Sequence, residues 1–158
     1  MKLSLRRGFS FGLTSAVITT LGLIVGLDSS TNSRLIVISG ILTIAVADAF
    51  SDALGIHVSE EASNNRTNRE IWEATASTFL AKFVFALTFL IPFLFLQLSV
   101  AVIVALIWGF GVLVLMSYRI GQEGKAGPRE VITEHLLIAV AVIVITYALG
   151  KAINHLFI

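Results

Sequence analysis

The sequence predicts an all-α membrane protein with five transmembrane helices, and three observations carry that prediction. Of 158 residues, 56% are hydrophobic and only 13% are charged, against roughly half and a quarter in a soluble domain. The mean hydropathy is +0.92, and so short a chain cannot hide that much apolar surface in a core of its own. The apolar residues also fall into runs close to the roughly 20 residues a helix needs to cross the hydrocarbon layer. Together these exclude a soluble enzyme and a disordered tail. The absence of cysteine excludes a disulfide-stapled secreted domain. A net charge of +1 leaves no basic face able to track nucleic acid.

The first run covers 9–27 and is closed by Asp28, Ser29 and Ser30. The second, 35–58, is interrupted only by Asp48 and Asp52, with His57 at its end. The one long polar stretch, Ser59 to Glu73, follows. From Ala74 to Tyr118 the only charged residue is Lys82, and at about 1.5 Å per residue this run covers two crossings. Pro92 has no backbone N–H to donate, which puts the reversal between Pro92 and Ser99 and gives spans 75–96 and 99–120. A turn with three glycines and Pro128, from Arg119 to Glu130, leads to the last span, 131–153. The whole chain, 1–158, reads as a single transmembrane domain.

Lys2, Arg6 and Arg7 ahead of the first run imitate a signal peptide, but Asp28-Ser29-Ser30-Thr31 is no small-x-small cleavage pattern, so the segment is expected to stay as a span. The loops set the orientation. Lys2, Arg6, Arg7, Arg66, Arg69, Arg119, Lys125 and Arg129 fall on one side, and only Arg34 and Lys151 on the other. The positive-inside rule then predicts a cytoplasmic N-terminus and an external C-terminus. The 59–73 segment becomes cytoplasmic, which puts the Asn65-Arg66-Thr67 sequon out of reach of glycosylation.

Ionisable residues inside a span are expensive and face protein or water, which makes them functional candidates. Asp48 and Asp52, spaced i, i+4, share one face of the second helix with Ala45, Gly55 and Ser59. Two carboxylates one turn apart repel unless one is protonated or a cation sits between them. The pair therefore suits a hard or borderline divalent cation or a proton relay; the competing reading is that each Asp hydrogen-bonds a neighbouring helix. On the first helix Gly8, Gly12, Ser15, Thr19, Gly22 and Gly26 form a small-residue stripe. Such a stripe lets helix backbones approach closely, within one subunit or between two, and it can also line a narrow polar path. In the cytoplasmic segment Glu60, Glu61, Glu70 and Glu73, with His57, Asn64, Asn65 and Asn68, are candidates to gather a cation at the mouth of such a path, or simply a solvated loop balanced by Arg66 and Arg69. Glu130 and Glu134 share a face at the start of the last helix, where acids also favour a helix N-terminus. Lys82 either snorkels to the interface or neutralises an unloaded aspartate. Met116, His135 and His155 stand alone.

Several stretches resemble one family. Gly12-Leu13-Thr14, the small-residue helix ending Val25-Gly26-Leu27, Ile38-Ser39-Gly40-Ile41, the segment Ala49-Phe50-Ser51-Asp52-Ala53-Leu54-Gly55, and the closing Thr146-Tyr147-Ala148-Leu149-Gly150-Lys151 are similar in content and order to the vacuolar iron transporter family. The resemblance covers most of the chain and implies export of cytosolic Fe(II) or Mn(II), usually against protons, by a homodimer whose path lies between paired first helices. Three departures stand out. Phe11 occupies the place of that family's first-helix Asp, Asp52 stands where a second-helix Met is common, and the stretch from Ser59 to Glu73 is far shorter than the family's Glu-rich cytoplasmic domain. The first two imply that the transport carboxylate has moved to the second helix.

The sequence thus points to a non-enzymatic transporter of Fe(II) or Mn(II) that needs no resident cofactor. Its partners are expected to be metal ions, the lipid bilayer and a second copy of itself, in a prokaryotic plasma membrane. Two alternatives remain at this stage. One is a non-transporting membrane scaffold in which the stripes serve only assembly. The other is a lipid phosphotransferase-type enzyme, since Asp48-x3-Asp52 echoes half of a magnesium-binding signature whose other half is missing.

Overall fold

The computed structural model describes residues 2–63 and 65–157. Six helices make up five spans: α1 (Leu3–Thr31), α2 (Arg34–Glu61), α3 (Asn68–Thr88), α4 (Leu90–Phe95), α5 (Leu98–Glu123) and α6 (Pro128–Phe157). All five spans are long and apolar enough to cross a membrane, with α3 and α4 forming one of them.

Each of the five spans overruns its apolar run by at least a residue at one end, because backbone hydrogen bonding does not stop where hydropathy does. The clearest case is the polar segment expected over 59–73. Most of it is helical: α2 continues to Glu61, and α3 begins at Asn68 in polar sequence. A capping box starts α3. The Thr67 hydroxyl accepts from the Glu70 N–H at 3.3 Å, and Glu70 Oε2 accepts from the Thr67 N–H at 3.0 Å, which satisfies two of the donors a helix start leaves open.

The third span breaks where Pro92 dictates. Proline cannot donate to the carbonyl four residues back, here that of Thr88, and the helix turns at Phe89 before resuming as α4. The reversal itself falls at Leu96 and Gln97, inside the expected interval. The last carbonyls of α4 find a donor in Arg34, whose Nη2 bonds the Leu94 oxygen at 2.7 Å and whose Nε bonds that of Phe93. Between α1 and α2 the turn is only Asn32 and Ser33. Asn32 adopts the left-handed conformation (φ 47°) and returns its N–H to the Asp28 carbonyl at 2.9 Å, a cap that asparagine tolerates.

α1 is the central helix. Half of its apolar window is buried, against 11% for α6, and it packs on α2, α3, α5 and α6. Its small-residue stripe is what permits this. A Cβ on Gly8 or Gly12 would overlap the Ala74 or Thr78 carbonyl of α3, and one on Gly22 would meet Val142 of α6. Gly26 faces Thr146 of α6, and Gly150 approaches Ser29 and the Gly26 carbonyl from the other side. Thr78, fully buried, donates to the Ala74 carbonyl at 2.9 Å and also lies 3.2 Å from that of Gly8. Gly8, Gly12 and Gly22 of the stripe thus serve packing within the subunit, while Ser15, Thr19 and Gly26 stay partly exposed. The outward surface is greasy all round, with Phe50, Leu54, Ile107, Leu137 and Val144 exposed, as lipid requires.

These contacts set an expected outcome. Gly12→Leu forces a side chain into the Thr78 backbone and should lower stability by about 1–3 kcal/mol or more, whereas Gly111→Leu, which meets nothing within 4 Å, should leave it unchanged. Thermal unfolding of the two purified variants in detergent reads the difference, and equal midpoints would refute the close α1–α3 approach.

Candidate functional site

Asp48 lies halfway along α2, Lys82 halfway along the α3–α4 span and Ser15 near the middle of α1. The fold brings these residues and Asp52 together. On α2 the buried residues Ile41, Ala45, Ala49 and Ala53 recur every four positions, and the three alanines let α3 come close. The carboxylates flank this face. On α3 the side chain of Lys82 turns inward and is 1% exposed.

The Lys82 ammonium has three oxygen neighbours. It donates to Ser15 Oγ at 2.8 Å and to Asp52 Oδ2, and it pairs with Asp48 Oδ2 at 2.6 Å. Of the three N–H groups of an ammonium, hydrogen bonds to Ser15 and Asp52 use two, and Asp48 adds an ion pair. Of the two roles expected for Lys82, snorkelling is overturned: the amine points to the centre of the bundle because two carboxylates there outweigh the pull of the interface. The cation that the aspartate pair demands is thus supplied by the chain itself. The carboxylates are not sealed, since Asp48 keeps 28% and Asp52 19% of their side-chain exposure. Thr19, one turn beyond Ser15, spends its hydroxyl on the Ser15 carbonyl at 2.9 Å.

The other candidates are not gathered around this triad. Glu60 is held by Arg66 Nε at 2.9 Å and Arg7 Nη1 at 3.5 Å. Glu73 accepts from Lys2 Nζ at 2.6 Å, Ser4 Oγ at 2.7 Å and Arg69 Nε at 3.1 Å. Glu70 serves the capping box, while Ser59, Glu61, Asn65 and Asn68 are exposed; Asn64 lies outside the described residues. His57 bonds the Thr75 hydroxyl at 2.9 Å and packs edge-on against Trp72. Glu130 and Glu134 are exposed in the first turns of α6. Among the described residues no three His, Asp or Glu side chains are grouped to hold a metal. The expected cation-gathering mouth is instead a set of ion pairs. Lys2–Glu73 ties α1 to α3, Arg7–Glu60 ties it to α2, and Arg6–Glu123 ties it to α5.

A cavity of about 530 Å³ lies elsewhere. It lies between α2 and α3, lined by Phe50, Leu54, Trp72, Phe79 and Leu80 among others, and its apolar walls suit lipid chains rather than ions. Sequence reasoning missed Ser15 as the third partner of the amine. It also missed the three ion pairs that clamp the start of α1, whose cations it used only to orient the chain. An i, i+4 aspartate pair and a lone lysine in neighbouring apolar spans were the available signal for the triad.

Comparison with protein-family models finds no match, and no curated protein matches the chain.

Removing one partner of a buried ion pair strands the other, at a cost of about 3–5 kcal/mol; the partial exposure of both aspartates puts the expectation for Lys82→Met at the low end, about 3 kcal/mol. Adding Asp48→Asn and Asp52→Asn to Lys82→Met removes every stranded charge and should recover most of the loss. Thermal melts of the single and triple variants read this, and a single variant as stable as wild type would show that the amine does not hold the carboxylates.

Proposed function

We propose that this chain is a proton-coupled divalent-cation transporter in which Lys82 occupies the cation site of the unloaded state. The observation that carries the proposal is a fully buried ammonium bound to two partly open carboxylates at the middle of three spans.

Charge arithmetic gives the mechanism. With all three groups ionised the triad carries one negative charge, and net charge at that depth is costly. A proton taken up on either aspartate brings it to zero. A divalent cation between two ionised carboxylates also brings it to zero, provided Lys82 gives up its ammonium proton and moves aside. The two neutral states differ by one divalent cation against two protons, so exchange between them buries no net charge in either direction. Two carboxylates and the Ser15 hydroxyl make a sparse oxygen site, weak enough to release its ion as transport requires. Oxygen donors and the absence of cysteine favour Mn(II) or Fe(II) over thiolate-seeking metals.

The motif order shared with the vacuolar iron transporter family supports the same reading, with the carboxylate on α2 rather than α1. A cytoplasmic N-terminus and a prokaryotic plasma membrane belong to the proposal on the charge asymmetry of the loops and their shortness, and export from the cytosol on that resemblance alone. All the site groups come from one chain, so a homodimer is compatible with the mechanism but is not needed for it.

Mn(II) uptake into proteoliposomes under an imposed pH gradient tests the proposal. Asp48→Asn and Asp52→Asn should each lower the rate at least tenfold, about the loss expected on removing one charged ligand worth 1.4 kcal/mol or more. Lys82→Arg keeps a cation for the carboxylates but cannot surrender its proton, so it should remain folded by thermal melting and lose coupled uptake. Wild-type rates in the aspartate variants would leave the triad as an internal staple and favour the scaffold reading.

A further inference from the structure

At the N-terminal end of the bundle α3 and α5 both pack on α1, and two cavities there have Phe9 in common among their lining residues. The outer one, about 180 Å³, is lined by Arg6, Ser10, Met116, Arg119 and Glu123 among others. The deeper one, about 370 Å³, is apolar, with Leu5, Leu80, Val84 and Phe85 in its walls. The Phe9 ring, which lines both, meets Phe85 of the second edge-on at 6.2 Å. Chain direction fixes the order with depth. α1 and α3 run inward from this end while α5 runs out to it, so Arg6, Arg119 and Glu123 lie at the rim and Leu80, Val84 and Phe85 nearer the middle of the membrane.

The rim is not electrically balanced. Arg6 pairs with Glu123, while Arg119 has no carboxylate within 4 Å among the described residues. Two guanidinium groups against one carboxylate leave a charge of +1 in a cavity that Ser10 also lines, next to the apolar cavity across Phe9. Guanidinium groups bind phosphate oxygens in a forked geometry, and basic pockets between spans at this level of a membrane suit anionic headgroups.

We propose that this pair of cavities binds an anionic phospholipid, with its phosphate at Arg119 and Arg6 and one acyl chain past Phe9 along Leu80, Val84 and Phe85. The lipid completes the charge balance of the rim at α1 and α5 and covers the apolar groove between α1 and α3. A zwitterionic lipid covers the groove equally well but brings a net charge of zero to the rim, which is why the site selects for headgroup charge.

The test is native mass spectrometry of the full chain released from micelles holding equal amounts of phosphatidylglycerol and phosphatidylcholine with identical acyl chains. Wild type should retain phosphatidylglycerol in preference. Arg119→Gln should lower that retention about fivefold, the usual worth of one basic residue at an anionic headgroup, and Arg119→Lys should keep most of it. Arg129→Gln, at the same end but outside the two cavities, should leave retention unchanged, and millimolar inorganic phosphate should not displace the lipid. Equal retention of the two lipids, an Arg119→Gln protein that binds like wild type, an equal loss in Arg129→Gln, or displacement by inorganic phosphate would each overturn the proposal.

Discussion

An ammonium and two carboxylates can sit midway through a membrane-spanning bundle only if they meet, because hydrocarbon solvates none of them and a stranded charge there is expensive. Lys82 meets both Asp48 and Asp52, with Ser15 as the third acceptor. That contact sets demands on the rest of the fold. Three spans must approach within the reach of one lysine side chain, and the backbone must be small wherever they touch. Ala45, Ala49 and Ala53 meet this demand on α2, and Gly8 and Gly12 meet it on α1.

The two ends of the bundle do different work. At the N-terminal end α1 is tied to α2, α3 and α5 by ion pairs between long side chains; such contacts are screened and individually weak, and so can break and reform. At the other end the links are short and less charged. Asn154 donates to the Ser30 carbonyl at 2.8 Å, Arg34 serves the end of α4, and Gly150 lies against Ser29. The N-terminal end also holds a close backbone approach, that of Gly8 and Gly12 of α1 to Ala74 and Thr78 of α3, so α1 is fixed by packing at both ends and the triad lies between them.

Much of the architecture was legible because hydropathy is a property of single residues summed over a window. Five spans follow from that, and the reversal after Pro92 from proline's missing N–H, whereas the separate break at Phe89 inside the third span was not foreseen. The helix ends were not legible, since Thr67 and Glu70 start α3 through a reciprocal side-chain bond inside a polar stretch. The aspartate pair stood out on its own helix, but its partner did not. Lys82 is 30 residues from Asp52 in the chain, and only packing decides whether a lysine reaches for the interface or for the interior. The acidic residues after the second span misled for a related reason. A glutamate that will be claimed by Lys2 or Arg7 looks, in sequence, the same as one free to attract a metal.

The central claim is that a divalent cation and Lys82 compete for the same two carboxylates, and proton release on metal binding measures it most directly. Purified protein in weakly buffered detergent solution, titrated with Mn(II) and followed with a pH indicator, should release two protons for each ion bound, and Asp52→Asn should release fewer while binding more weakly. Mn(II) binding with no proton released, or release unchanged in Asp52→Asn, would contradict the account.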